Sequence, residues 1–149
     1  MSNDELKHLF YGLSGRIGRQ QYWLGMLAVI GGFLALSLLI WTLGVLPPRA
    51  LVALFIASAI VLVLIPSIAI SVKRLHDHNK PGWWLIPFYV APMVFDKISD
   101  RVAEDTVPWW VLVIVGLILS LWAVLELGFL RGTNGPNAYG PDPLPQRAV

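Results

Sequence analysis

The sequence has 149 residues, of which 56% are hydrophobic and only 13% are charged. An average soluble protein carries roughly 25% charged residues, so this composition favours an integral membrane protein. The chain has no cysteine, which excludes disulfides, thiolate metal sites and cysteine nucleophiles. A net charge of +2 gives little reason to expect nucleic-acid binding, because lysine and arginine in the cytoplasmic loops of a membrane protein account for it.

The N-terminal segment, residues 1–21, is polar and mixed in charge. Leu6, Leu9 and Phe10 fall on one face of a short predicted helix. This pattern is typical of a helix that lies in the membrane interface, and a frayed tail is the alternative. No signal peptide is predicted, because the first apolar run is too long for one.

Four apolar segments follow, and we expect them to form an all-α integral membrane bundle within one domain, residues 1–149. Their ranges are 22–46, 51–72, 83–95 and 109–130, followed by a Gly/Pro-rich tail at 131–149. The first, second and fourth are long enough to cross a hydrocarbon core of about 30 Å. The third is short and contains Pro87 and Pro92, which is compatible with a kinked span or a re-entrant segment. Pro66 is expected to kink the second span, with Ser67 and Ser71 bonding the freed carbonyls.

Lysine and arginine are unevenly distributed between the two sides of this arrangement. Eight lie in the N-terminal segment, the central loop and the tail, and three lie in the other two loops. The excess of positive charge marks the cytoplasmic side, so we predict a multi-pass protein with a cytoplasmic N-terminus. The same totals result if the third segment fails to cross, so the charges do not decide its topology.

Three polar motifs border the membrane on this side. They are SGRIGRQQYW at residues 14–23, RLHDHNKPGWW at 74–84 and GTNGPNAYGPDP at 132–143. Arg16 and Arg19 are three residues apart and are expected to share a helix face. If the second span continues beyond residue 72, Arg74 and Lys73 stand three and four residues before Asp77. A carboxylate at the interface needs a partner, so we predict that Asp77 bonds Arg16 or Arg19.

These motifs, in this order, resemble the hallmark segments of the YhaH/YhaI-like bacterial inner-membrane proteins, catalogued as domain of unknown function 805. The matching positions are Gly15, Arg16, Arg19, Tyr22, Trp23, Arg74, Leu75, His76, Asp77, Gly82, Trp83, Gly135, Asn137, Tyr139, Gly140 and Asp142. The resemblance covers nearly the whole chain and implies a small multi-span protein of the bacterial inner membrane, with no established reaction. The chain departs from the family pattern in a charged insert at 96–108 and in the residues 78–80 that follow the second motif.

The basic residues of the first two motifs are the first candidate site. Arg16, Arg19, Arg74 and Lys80 are suited to the phosphate of an anionic lipid headgroup, because they lie at cytoplasmic helix ends and arginine binds phosphate bidentately. The alternative is that they serve only membrane topology and pair with Asp77 and with the carboxylate of the third motif.

The third motif is rich in glycine but lacks the lysine of a phosphate-binding loop. We interpret it as a structured cap in which Asn137 and Tyr139 dock on the other two motifs. Asp142 is the carboxylate that it offers to the arginines.

His76 and Asp77 could be read as an acid–base pair, or with His78 as a metal site. Side chains two residues apart on a helix point about 200° apart, so His76 and His78 cannot converge on one ion. We therefore predict no metal and no cofactor. We expect His76 and Asp77 to join a structural hydrogen-bond network and His78 to project away from it with little effect on stability.

Glu126 is the one charge inside a clear span, and an intramembrane carboxylate is a functional candidate. It is either buried and paired or extended towards the interface near Arg131. The sequence as a whole predicts a non-catalytic membrane protein that binds anionic lipid headgroups or a protein partner, such as a second copy. The alternatives are a small oligomeric lipid or solute transporter with Glu126 on its pathway, and a lipid-phosphate enzyme that uses His76 and Asp77.

Overall fold

The computed structural model describes residues 3–43 and 48–144, and these form five helical elements. We number them α1 (Asn3–Tyr11), α2 (Arg19–Leu43), α3 (48–77), α4 (82–99) and α5 (107–129). Within these residues the only β-structure is an isolated bridge between Asn137 and Gly140. Three helices, α2, α3 and α5, are long and apolar enough to cross a membrane. The predicted all-α membrane fold is confirmed, whereas α4 is shorter than the other three.

The helices extend further at the polar end of the bundle than the apolar runs predicted. α2 begins at Arg19 rather than at residue 22, and α3 continues to Asp77 rather than ending at residue 72. At the opposite end of the bundle, α4 extends to Ser99, beyond the predicted end at residue 95. The polar last turn of α3 is buried, because tertiary contacts replace water around it. The predicted end of the first span, at residues 44–46, lies outside the described residues.

A π-helical turn occurs in each of α3, α4 and α5, and in α5 it forms the end of the helix. The three turns are Ile60–Leu64, Ile86–Val90 and Leu125–Phe129. In α3 and α4 a proline, Pro66 or Pro92, lies two residues after the turn. Proline has no N–H to donate to the preceding turn, which disrupts the regular ladder there. The irregularity expected at Pro66 is therefore a π turn. The Ser71 hydroxyl lies 3.2 Å from the Tyr89 hydroxyl on α4, which sequence reasoning did not predict.

The N-terminal segment forms the predicted short helix and packs against α3. Leu9 and Phe10 pack against the buried core, while Leu6 is 39% exposed. The Lys73 ammonium on α3 donates to two carbonyl oxygens at the end of α1, those of His8 and Leu9. A cation at the C-terminus of a helix compensates its negative end, so Lys73 fastens α1 to the bundle.

α4 runs antiparallel along α5. Near the start of α4, the Trp84 and Phe88 rings pack edge-on against Trp122, with centroid distances of 5.8 and 5.0 Å. Further along, Phe95 faces Gly116, where a Cβ would lie 3.6 Å from the Cβ of Phe95. The start of α4 is therefore beside the end of α5. The loop at 100–106 lies at the opposite end of the bundle.

The buried core lies at the polar end, where α2 and α4 begin and α3 and α5 end. Its members are Ile17, Tyr22, Val29, Ile70, Leu75, Phe88, Ala123 and Leu127. Large apolar side chains elsewhere on the membrane-length helices are exposed, as a bilayer-facing surface requires. The bundle is therefore held together most firmly where its polar motifs meet.

We predict that α4 crosses the membrane, because it follows α5 in the opposite direction along most of its length. Because the chain has no cysteine, a single introduced thiol reports one position. In intact cells, a membrane-impermeant maleimide should label Asp105→Cys in the 100–106 loop. It should label Asn134→Cys in the tail only after the inner membrane is permeabilised. The reverse pattern would contradict this topology, because it follows if α4 does not cross or if the N-terminus is not cytoplasmic, and labelling of both from the same side would mean that α5 does not cross.

Candidate functional site

Asp77 lies at the centre of the polar end, between two arginines. Its Oδ1 accepts hydrogen bonds from Arg16 Nε at 3.1 Å and Arg16 Nη2 at 3.0 Å. Its Oδ2 accepts from Arg74 Nη1. The side chains of the three residues are at most 5% exposed. The predicted contact between Arg16 and Asp77 is confirmed, and we call these three residues the arginine clamp.

Arg16 connects the clamp to the tail. Its Nη1 donates to the carbonyl oxygens of Gly135 and Gly140 at 2.7 and 3.1 Å, and its Nη2 donates to that of Thr133 at 2.8 Å. Every guanidinium nitrogen of Arg16 therefore has a partner. The expectation that Arg16 shares a helix face with Arg19 is wrong, because α2 begins only at Arg19. Outside the helix, Arg16 is free to turn inward.

The C-terminal end of α5 is capped by side chains from two other helices. A helix leaves its last four carbonyls without intrahelical partners, and here those at residues 127–130 are all occupied. Arg74 donates from Nε to the carbonyl of Leu127 at 2.8 Å and from Nη2 to the carbonyl of Leu130. Trp23 Nε1 donates to the carbonyl of Gly128 at 3.0 Å, and Arg19 Nη1 donates to the carbonyl of Phe129 at 3.1 Å. Arg74 thus bonds both Asp77 and the end of α5.

The tail caps the C-terminal end of α3. Thr133 donates to the Asp77 carbonyl from its backbone N–H and its hydroxyl, at 2.8 and 3.0 Å. Asn137 Nδ2 donates to the His76 carbonyl at 2.9 Å, and the Tyr139 ring stacks on the His76 ring with centroids 3.9 Å apart. The predicted docking of Asn137 and Tyr139 is confirmed for the second motif, whereas the first motif contacts the tail through Arg16.

The chain turns sharply between α3 and α4. Asn79 ends α3 in the left-handed conformation, with φ at 57°, and the Lys80 N–H donates to the Leu75 carbonyl at 2.9 Å. This is the helix ending that an asparagine at this position favours. Gly132 of the tail passes directly over the Asp77 carboxylate and leaves no room there for a Cβ. A glycine is therefore needed where the tail closes over the clamp.

Two pairings expected from the sequence are replaced by other contacts. Lys73 bonds the end of α1 instead of pairing with Asp77. The carboxylate of Asp142 accepts from the backbone N–H groups of Leu144 and Gly135, both at 2.9 Å, instead of pairing with an arginine. These two hydrogen bonds hold the pKa of Asp142 below its usual value. Asp142 therefore orders the tail loop.

Glu126 forms a second polar cluster at the same end of the bundle. Its Oε1 lies 2.5 Å from Lys80 Nζ and 3.3 Å from His78 Nδ1, and its Oε2 accepts from Trp122 Nε1 at 3.2 Å. The Lys80 ammonium also lies 4.7 Å from the centre of the Trp84 ring. Glu126 is 6% exposed, so it is buried and paired rather than extended towards the interface.

His78 is the residue whose setting sequence reasoning missed. It does project away from His76, but towards Glu126, and its side chain is 8% exposed. Its Nε2 is buried without a hydrogen-bond partner in the part of the chain that the structure describes. Burial and the nearby positive charge of Arg74 hold the pKa of His78 below its ordinary value. The only feature of the sequence that pointed to this setting is the spacing of two residues from His76, which turns His78 to another side of the helix.

The chemistry open to these groups is limited by their own contacts. Asp77 is 3% exposed and accepts from two guanidiniums, and His76 is stacked on Tyr139 with its Nδ1 3.2 Å from the Gly15 carbonyl. Among residues 3–43 and 48–144, no three His, Asp or Glu side chains are grouped to hold a metal ion. The arrangement can join chain segments and neutralise charge.

Asp77→Ala should destabilise the protein strongly. It leaves two buried guanidiniums without their counter-charge, which typically costs about 3–5 kcal/mol. Thermal and denaturant unfolding of the purified protein in detergent would measure the loss. Asp100→Ala is the matched control, because its side chain is 58% exposed and pairs with Lys97 at the surface. Such a pair contributes about 0–1 kcal/mol. Equal unfolding curves for the two variants would contradict the role of the clamp.

Acidification should weaken the fold through His78. Because its folded pKa is lowered, the stability it contributes is complete above the unfolded pKa of about 6.5 and is lost as the pH falls through the folded value. The melting temperature in detergent should therefore fall below pH 6.5, and His78→Gln should flatten that fall. His8→Gln is the control, since His8 is exposed. An identical pH profile in His78→Gln and the parent would refute this assignment.

Comparison of the amino-acid sequence with known proteins identifies the family of this chain. Residues 10–141 match the family described as "Protein of unknown function (DUF805)". The "Uncharacterized protein YiiR" of Escherichia coli strain K12 is 29% identical over 92% of this chain and 89% of its own length. The inner membrane proteins YhaI and YhaH of that strain are each 28% identical over 90% of this chain, and over 87% and 88% of their own lengths. No solved structure matches the chain. Because the family match spans nearly the whole chain, the protein belongs to the DUF805 family.

Proposed function

We propose that this chain is a non-catalytic, multi-pass protein of the bacterial inner membrane that binds anionic phospholipid headgroups at the polar end of its bundle. Two relatives, YhaI and YhaH, are named inner membrane proteins, and three helices here are long and apolar enough to cross a membrane. The polar end carries the excess of lysine and arginine, which supports its placement in the cytoplasm.

The observation that carries the proposal is the division of the arginines into two sets. Arg16 and Arg74 have side chains that are at most 1% exposed and are engaged by Asp77 and backbone carbonyls. Arg19 and Arg131 are exposed. Because α2 begins at Arg19 and α5 ends just before Arg131, both outer arginines stand where a spanning helix meets the headgroups. We therefore assign the proposed lipid site to this outer pair, which keeps Arg19 from the four basic residues predicted above and adds Arg131.

The outer arginines are suited to phosphate in geometry as well as in charge. Among the residues that the structure describes, one carbonyl, that of Phe129, accepts from Arg19, and it bonds Nη1. The remaining donors of Arg19 can approach two phosphate oxygens together, as arginine does in bidentate pairs. Lys80 is a weaker candidate for the same role, because its ammonium is already paired with Glu126.

Lipid binding has more support than the two alternatives. Transport would use Glu126 on a pathway, whereas its carboxylate is held by Lys80 and Trp122 at the polar end of α5. Catalysis on a lipid phosphate would use His76 and Asp77, whereas these are held by the clamp and the tail. A protein partner, such as a second copy, would use the same exposed arginines and would appear as a dimer in the experiment below.

Replacing both outer arginines should weaken the binding of anionic lipid. Each basic residue near an anionic surface contributes about 1 kcal/mol, so Arg19→Gln/Arg131→Gln should lose roughly tenfold or more in affinity. The measurement is the ratio of phosphatidylglycerol to phosphatidylethanolamine that stays with the protein after gentle extraction, read by mass spectrometry. The loss should be smaller at high salt, where the parent also binds less.

The control for this experiment is Arg49→Gln/Arg101→Gln, which removes two exposed arginines from the other end of the bundle. Its lipid ratio should match the parent. Equal ratios in all three proteins would contradict the proposal. A parent that is dimeric, with a dimer lost only in the Arg19→Gln/Arg131→Gln variant, would assign these arginines to a protein interface instead.

A further inference from the structure

A groove of about 700 Å³ lies between α1, the linker at 12–18 and α2. Leu6, Leu9 and Phe10 from α1 form one apolar wall, and Leu24 and Ala28 from α2 form the other. The α2 wall belongs to a helix of membrane-spanning length, and both of its residues are exposed. The groove is thus continuous with the surface that α2 presents to the bilayer, and its walls are suited to a hydrocarbon chain.

One part of the groove wall is polar and positive. His8, Ser14, Gln21 and Lys73 line it together with Arg16, and the described residues that line the groove include no carboxylate. Lys73 is 1% exposed, and no Asp or Glu among the side chains that the structure describes lies within 4 Å of its ammonium. A buried charge is costly unless it is paired, so the groove is complementary to an anion.

Donors are also available at this part of the wall. An ammonium has three N–H donors, and Lys73 uses two of them on the carbonyls that end α1. The Gln21 side chain accepts from the Gly18 N–H through Oε1, so its amide NH₂ is left to donate. The Ser14 hydroxyl lies 3.3 Å from His8 Nε2 and can turn towards an acceptor. These groups could bond the oxygens of a phosphate.

We propose that this groove binds one molecule of anionic phospholipid, with an acyl chain between α1 and α2 and the phosphate beside Lys73, Gln21 and Ser14. The inference rests on the proposed function for the class of lipid, but it uses different residues. The outer arginines contact headgroups of the surrounding bilayer, whereas the groove holds a single lipid against the protein. Removal of one site therefore leaves the other intact.

The test is a titration of the purified, delipidated protein in detergent with dioleoyl phosphatidylglycerol, followed by native mass spectrometry. Dioleoyl phosphatidylcholine, with the same chains, is the comparison lipid. The parent should bind the first phosphatidylglycerol at least tenfold more tightly than the first phosphatidylcholine. Ala28→Phe fills the groove and should lower the affinity for the first phosphatidylglycerol at least tenfold. Ser14→Ala/Gln21→Leu should lower that affinity severalfold and leave the affinity for phosphatidylcholine unchanged.

Ala35→Phe is the matched control. Ala35 is exposed and lies two turns beyond Ala28 on the same face of α2, outside the groove. It should bind the first phosphatidylglycerol as the parent does, and so should Arg19→Gln/Arg131→Gln. Parent-like binding by Ala28→Phe, or equal affinity for the two lipids, would overturn the groove proposal. Loss of the first lipid in Arg19→Gln/Arg131→Gln but not in Ala28→Phe would assign it to the outer arginines.

Discussion

The structure depends on one carboxylate, Asp77, which neutralises two guanidiniums that are almost completely buried. Arg16 comes from the linker before α2 and Arg74 from the last turn of α3. A buried arginine without a counter-charge would be strongly destabilising. With Asp77 between them, both arginines can direct their other donors to backbone carbonyls of the tail and of α5. A single ion-pair centre therefore fixes four segments that are far apart in the sequence.

The need for so much positive charge follows from the direction of the helices. α1, α3 and α5 all end at the polar side of the bundle, and each helix end presents unpaired carbonyls and the negative end of its dipole. Lys73 caps α1, and Arg74 and Arg19 cap α5. The end of α3 is instead capped by tail donors. The lysine and arginine residues that complete these helix ends are thus among those from which the sequence predicts the membrane orientation.

Sequence reasoning predicted the contacts that depend only on sharing a side of the membrane. The pairing of Arg16 with Asp77 and the docking of Asn137 on the second motif followed from polar groups that need partners at one interface. The sequence could not show which lysine and arginine side chains would be buried in the protein, because their burial depends on which helix ends meet in space. The pairing of Lys73 with Asp77 was therefore wrong, and the burial of His78 beside Glu126 was not predicted. The groove joins α1 to α2 through tertiary packing, so no local pattern in the sequence marks it.

The clamp and the groove share a structural element, the linker at 12–18. Arg16 in this linker is bound to Asp77 and to three tail carbonyls, while its neighbours Ser14 and Ile17 line the groove. Lys73 sits one residue before Arg74 and holds the other wall, α1, in place. Two consecutive residues of α3, Lys73 and Arg74, therefore position the groove and the clamp. A groove positioned by a rigid, fully bonded centre is preorganised, which reduces the ordering cost of binding a ligand. On this view the clamp acts by holding the binding surface beside it, while its guanidiniums keep their bonds to Asp77 and to backbone carbonyls.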